Sequence, residues 1–132
     1  MNLLDENIRV QQRRQLESWR IAVKQVGVDF GVKGLKDPQI VVLLQGLRKT
    51  TFFTRDADYD LQSLCHSSYC LVSMNVPQNQ VATSVLRFLR HPDFDTHAKR
   101  MGSVVRLSHH GLSAWRVGSH LRLHTLWANP PR

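Results

Sequence analysis

Short apolar segments with strand character alternate with amphipathic, helix-like segments along almost the whole chain. This alternation constrains the fold more than any other feature. Strands separated by helices pair side by side in parallel, and the helices must then cover the sheet. Leu3-Leu4 reads as the start of a very short strand. Residues 7–18 read as a helix with Ile8, Val10 and Leu16 on its apolar edge and Arg9, Arg13, Arg14 and Glu17 in solvent. Residues 20–26 alternate as a strand, with Ile21, Val23 and Gln25 on one face, and glycines at 27, 31 and 34 punctuate the loop that follows. Asp37-Pro38 is a helix start, with Asp as the N-cap and Pro at the first helical position. Thr50–Thr54 is β-branched and aromatic, hence a strand. A loop and short helix over 56–64, a strand over 69–76 and a helix over 78–90 come next. That helix stops at His91-Pro92. VVRL (104–107) and the alternating tail add further short strands.

The expected order is β-α-β-α-β-α-β-α-β. The predicted fold class is α/β, a three-layer α/β/α sandwich around a mainly parallel sheet, in a single domain over 1–132. Functional groups in such sheets collect at the C-terminal ends of strands, where the strand order reverses.

Acidic residues sit at those places in an otherwise basic chain. The protein has eighteen Lys plus Arg against ten Asp plus Glu, a net charge of +8 and a pI near 10.3. Asp5 and Glu6 follow the first apolar run, and Asp56, Asp58 and Asp60 follow the third. Asp37 opens the second predicted helix. Hard divalent cations such as Mg²⁺ and Mn²⁺ take carboxylate oxygens and keep several waters. Phosphodiester hydrolysis uses such ions to acidify a water and to stabilise charge on the leaving oxygen. Three or four convergent carboxylates are the donor set that this chemistry needs. Asp5, Asp37, Asp56 and Asp58 are the candidate metal-binding and catalytic residues. Asp60 reads as a solvated or capping residue, and Glu6 as a cap of the first helix.

The segments LLDEN (3–7), KDPQIVVLLQ (36–45) and FFTRDADY (52–59) resemble the PIN-like nuclease domains, in particular a compact subgroup that opens with an LLDEN-type strand. The subgroup includes VapC-like toxins of toxin–antitoxin pairs. The resemblance spans roughly residues 2–76. It implies an Mg²⁺- or Mn²⁺-dependent endoribonuclease with RNA as substrate, a cognate antitoxin protein as partner and a possible homodimer. Carried onto this sequence, it places Asp5 at the first-strand acid position, Asp37 at the helix acid and Asp56 with Asp58 at the paired acids. Thr54 matches the small hydroxyl residue before that pair, and Glu6 and Asn7 fall within the opening motif. The segment from Asp93 onward has no counterpart and lacks an acid that could complete the site from the last strand.

The second half carries the positive charge and all seven histidines. Arg55, Arg87, Arg90, Arg106 and Arg116, with Trp115, Trp127 and several histidines interleaved, are candidates for RNA contact through phosphate pairing and base stacking. The tryptophans read equally as core or interface residues. Cys65, His66 and Cys70 lack zinc-site spacing with His109-His110, and Ser108-His109 lacks the elbow of a nucleophile. No apolar run approaches the length of a membrane span, and the first residues lack the pattern of a secretory signal, so a cytoplasmic protein is expected. Two other classes fit the same pattern: an inert PIN-like module that binds RNA or protein, and a receiver-like phosphoacceptor domain. The latter lacks a well-placed late lysine.

Overall fold

A computed structural model describes residues 1–127. Seven strands form one sheet: β1 (Asn2–Leu4), β2 (Lys24–Gln25), β3 (Thr50–Thr54), β4 (Tyr69–Asn75), β5 (Ser103–Ser108), β6 (Gly111–Arg116) and β7 (Leu123–Leu126). Their order is β2-β1-β3-β4-β5-β6-β7. The first five run parallel, while β6 and β7 are antiparallel additions. Among the described residues, four α-helices accompany them: α1 (Val10–Ser18), α2 (Asp37–Leu47), α3 (Val81–Leu89) and α4 (His97–Arg100).

The central strands are apolar on both sides because both sides are covered. Leu3 pairs with Phe52, and Leu4 with Phe53, in adjacent parallel strands. Neighbours along a strand point to opposite faces. Leu4, Phe53, Val72 and Val105 accordingly pack with Leu16 of α1 and with Val81, Val85 and Phe88 of α3. Leu3, Phe52, Leu71 and Val104 pack on the other face with Ile40 and Leu44 of α2 and with Tyr59.

The chain leaves β1 for β2 on one side, then returns past β1 to form β3 on the other. The strand order therefore reverses between β1 and β3, and Asp5 and Asp56 follow the C-terminal ends of these two strands.

Several expected boundaries move for identifiable reasons. α1 starts at Val10 rather than residue 7. The buried Gln25 amide donates to the carbonyls of Asp5 (3.1 Å) and Ile8 (2.8 Å), which holds the intervening turn out of the helix. β2 spans only Lys24–Gln25, shorter than the strand expected over 20–26. The short helix expected over 56–64 is two 3₁₀ turns, Ala57–Tyr59 and Gln62–Leu64. The first turn of the expected 78–90 helix is also 3₁₀.

The wholly alternating β-α order fails at its end, where β5, β6 and β7 follow one another without helices. Gly111 makes this ending possible. A Cβ there would run into the carbonyl oxygen of Thr125 and the Cα of Leu126, so only glycine allows β7 to lie this close. Among the described residues, no helix is long and apolar enough to cross a membrane.

Candidate metal centre

The site is built from the end of β1, the end of β3 and the start of α2. Thr54, the last residue of β3, is fully buried and its hydroxyl joins two of the acids. It donates to Asp5 Oδ2 at 2.7 Å and accepts from the Asp56 N–H at 3.0 Å. Asp56 then opens the first 3₁₀ turn, with its Oδ1 accepting the Asp58 N–H at 2.9 Å. Alternate residues of this Asp-Ala-Asp segment are thereby turned to one side. On the strand side, Ser73 of β4 donates to the Asp56 carbonyl at 3.1 Å.

Asp37 departs from the sequence expectation in an informative way. Lys36 occupies the N-cap position, and Asp37 is the first helical residue with Pro38 behind it. The Asp37 carboxylate is therefore not spent on capping. It lies close to Tyr59, whose phenol its charge helps to raise.

Asp37, Asp56 and Asp58 each present a carboxylate oxygen, and these oxygens lie within 4.8 Å of one another. Opposite ligands of one Mg²⁺ are about 4 Å apart, a spread comparable to that of these three oxygens. Asp37 is half-buried and Asp58 is exposed, which leaves room for the waters such an ion keeps. Asp5 is not part of this trio. It is bonded to the Thr54 hydroxyl and shares with Asp56 a pocket of about 190 Å³, which Asn7, Arg55 and Gln78 also line.

Burial pushes the Asp5 carboxyl above its ordinary value. The Thr54 hydroxyl and the backbone N–H groups of Asn7 and Glu6 oppose that rise without cancelling it, and the nearby Glu6 charge adds to it.

Tyr59 is the residue that sequence reasoning missed. It is buried and packs edge-to-face on Phe52 with ring centroids 5.5 Å apart. Burial raises its phenol well above the ordinary value, and the nearby carboxylates of Asp37, Asp5 and Asp56 add to the rise. Tyr59 thus stays protonated beside the acid cluster. Its place in the segment DADYD, one step after Asp58, was the available signal.

The supporting residues divide. Asn7 and Arg55 reach the pocket, with the Arg55 Nε anchored on the Val76 carbonyl at 2.9 Å. The Glu6 carboxylate turns away to accept the Gly34 N–H at 2.9 Å, tying down the glycine loop. Asp60 faces a different part of the sheet, 2.7 Å from Arg122 and 4.0 Å from Arg106.

The candidate RNA-contacting arginines scatter as well. The Arg87 guanidinium lies over the Trp127 ring at 4.7 Å, and Arg90 is exposed after α3. Arg116 sits opposite Ser103, toward the sheet edge away from the acids. Its guanidinium donates to the Lys99 carbonyl (2.7 Å) and to the Ser103 hydroxyl (3.0 Å) and lies over the Phe94 ring. Arg116 is thus held as an internal clamp.

Cys65 and Cys70 are free thiols. Compared with protein-family models, with curated proteins and with solved structures, the chain matches none.

Proposed function

We propose that this protein is a metal-dependent endoribonuclease of the PIN-like kind, with the three-layer α/β/α arrangement of that group. In this reading it is cytoplasmic, the toxin of a toxin–antitoxin pair, bound by an antitoxin protein and able to form a homodimer. The observation that carries the proposal is the convergence of Asp37, Asp56 and Asp58 within 4.8 Å, at the point where the strand order reverses.

An all-oxygen, carboxylate-rich donor set with open sides suits Mg²⁺ or Mn²⁺ rather than a soft metal. Asp37, Asp56 and Asp58 would hold the ion, and Asp5 would face it from across Thr54. When bound, the cation supplies an acidified water and neutralises charge on the phosphate. The chain's own residues do the rest. Thr54 fixes the separation between Asp5 and Asp56 by bonding to both. Tyr59, protonated and buried, lies beside the acids without adding a charge. Arg55 places a positive charge on the pocket rim, beside the position a scissile phosphate would take.

RNA incubated with the protein and Mn²⁺ should be cut internally, and chelation with EDTA should stop the cutting. No cleavage of any RNA with Mg²⁺ or Mn²⁺ would defeat the reading.

One observation favours a second reading, an inert module that binds RNA or protein. The C-terminal ends of β4 and β5 carry Asn75 and Ser108 and contribute no acid to the pocket. That module would bind RNA equally well in EDTA and never cut it.

A further inference from the structure

β7 lies at the edge of the sheet yet carries the pattern of an interior strand. Leu123 is 55% exposed and Leu126 79% exposed, and Leu121 just before them is 72% exposed. Leu123 pairs with Ala114, which belongs to the apolar cluster of the α1 and α3 side, so Leu123 points to that side. Leu126, three positions on, points to the α2 side. Apolar side chains on both faces suit a strand inside a sheet, not a solvent-facing edge.

The ladder fixes which backbone groups point outward. The Trp127 N–H bonds the His110 carbonyl at 3.1 Å. Bonded and unbonded pairs alternate along an antiparallel ladder. Thr125 opposite Leu112 and Leu123 opposite Ala114 are therefore bonded pairs, whereas His124 opposite Ser113 and Leu126 opposite Gly111 are not. The N–H and C=O groups of His124 and Leu126 accordingly face away from β6, with no strand beyond them among the described residues. Native edges are commonly guarded by proline or lysine, and β7 has neither. Arg122 is the only Lys, Arg, Asp or Glu in 121–126, and it is already held by Asp60 at 2.7 Å and by the Trp115 ring at 4.1 Å.

We infer that β7 pairs antiparallel with β7 of a second copy, joining the two sheets across a twofold axis. The edge itself selects this occupant. It offers no unpaired acid or base for a charged partner to recognise, and its outward groups match their own copies. A twofold axis beside Thr125 sets His124 opposite Leu126 of the partner subunit, and Leu126 opposite the partner subunit's His124, so every outward N–H and C=O of these residues is bonded. Thr125 then faces its own copy, a favourable cross-strand pair. β5, β6 and β7 already run antiparallel in turn, and the second copy continues that pattern. Four residues make a contact only about 14 Å long, so the dimer is weak, with a dissociation constant of about 1 μM or above. The homodimer proposed above thereby gains its surface, while the pairing itself needs no ribonuclease activity.

The test is sedimentation velocity on the full chain at rising concentration. The mass should climb from 15.2 kDa toward twice that value. It should climb further at higher salt, because screening relieves the repulsion between two copies of charge +8. His124→Pro removes an N–H that faces away from β6, so the fold stays, as circular dichroism will check, and the pairing goes. Leu126→Lys brings one charge from each copy close to the axis. Each variant should raise the dissociation constant about tenfold or more. Val42→Lys, at a 67% exposed valine on α2, should dimerise as the parent does. A parent that stays at 15.2 kDa at every concentration overturns the pairing. So does a dimer kept at parent strength by either β7 variant, or one that salt weakens. Dimerisation without RNA cleavage under any metal keeps the pairing and removes the nuclease. Cleavage by a strictly monomeric parent does the reverse.

Discussion

Replacing Thr54 by Val removes one hydroxyl and almost nothing else. Thr54 is fully buried, and Val has nearly the same shape, so no cavity opens. Two hydrogen bonds disappear: the 2.7 Å bond to the Asp5 carboxylate and the 3.0 Å bond from the Asp56 N–H. A bond to a charged group contributes about 1.5–3 kcal/mol, and an orphaned buried donor costs about 1–3 kcal/mol. Water at the pocket mouth can recover part of the second term. The expected loss is about 3 kcal/mol. For a chain of this size a urea slope of about 2 kcal/mol per M converts that to a midpoint about 1.5 M lower. Thr54→Ser keeps the hydroxyl and loses one buried methyl, which costs about 1 kcal/mol, or about 0.5 M. The assay is urea unfolding at neutral pH in EDTA, followed by circular dichroism. The order should be parent, then Thr54→Ser, then Thr54→Val. A Thr54→Val midpoint at or above that of Thr54→Ser would refute the bridging role of the hydroxyl.

Three more outcomes follow from the same contacts. Burial makes the folded state hold the Asp5 proton more tightly than the unfolded chain, whose carboxyl titrates near 3.8. In EDTA the parent therefore loses stability as pH rises from there through the raised folded value, and the loss persists above it. Asp5→Asn should be more stable than the parent at neutral pH and lose that advantage near pH 3.8 and below, as urea midpoints across pH will show. Arg122→Ala leaves the Asp60 carboxylate, whose side chain is only 12% exposed, with just the 4.0 Å contact to Arg106. It should cost about 3 kcal/mol, and adding Asp60→Asn should recover part of that in a double-mutant cycle. Gly111→Ala should loosen β7 from β6, so amide exchange should quicken in β6 and β7 while β3 and β4 stay protected.

The central sheet was legible because its strands are buried on both faces. TTFFT and the YCLVSMN segment have no alternation to misread, and their spacing by helices implies parallel pairing. The ending was less legible. β6 and β7 depend on a backbone approach that only Gly111 permits, and a steric fact of that kind has no hydrophobic pattern. The boundary of α1 depends on the Gln25 amide, seventeen residues from its partner Ile8.

In the site, Asp56 and Asp58 were readable from their spacing, and Asp37 from its helix start. Its expected capping role hid that Lys36 takes the N-cap and leaves this carboxylate close to Asp56 and Asp58. The scatter of the arginines had no signal in composition. Arg106 and Arg116 are alike in sequence, yet one is paired with Asp60 and the other is held in an internal clamp.

The most direct measurement is the rate of RNA cleavage by Asp56→Asn against the parent at saturating Mn²⁺. Asp56 is the acid that touches every part of the site: Thr54, Asp58, the Asp37 cluster and the pocket shared with Asp5. Removing its charge should cost several kcal/mol of transition-state stabilisation, about a thousandfold in rate, with the fold intact. Cleavage by Asp56→Asn at the parent's rate would contradict the account.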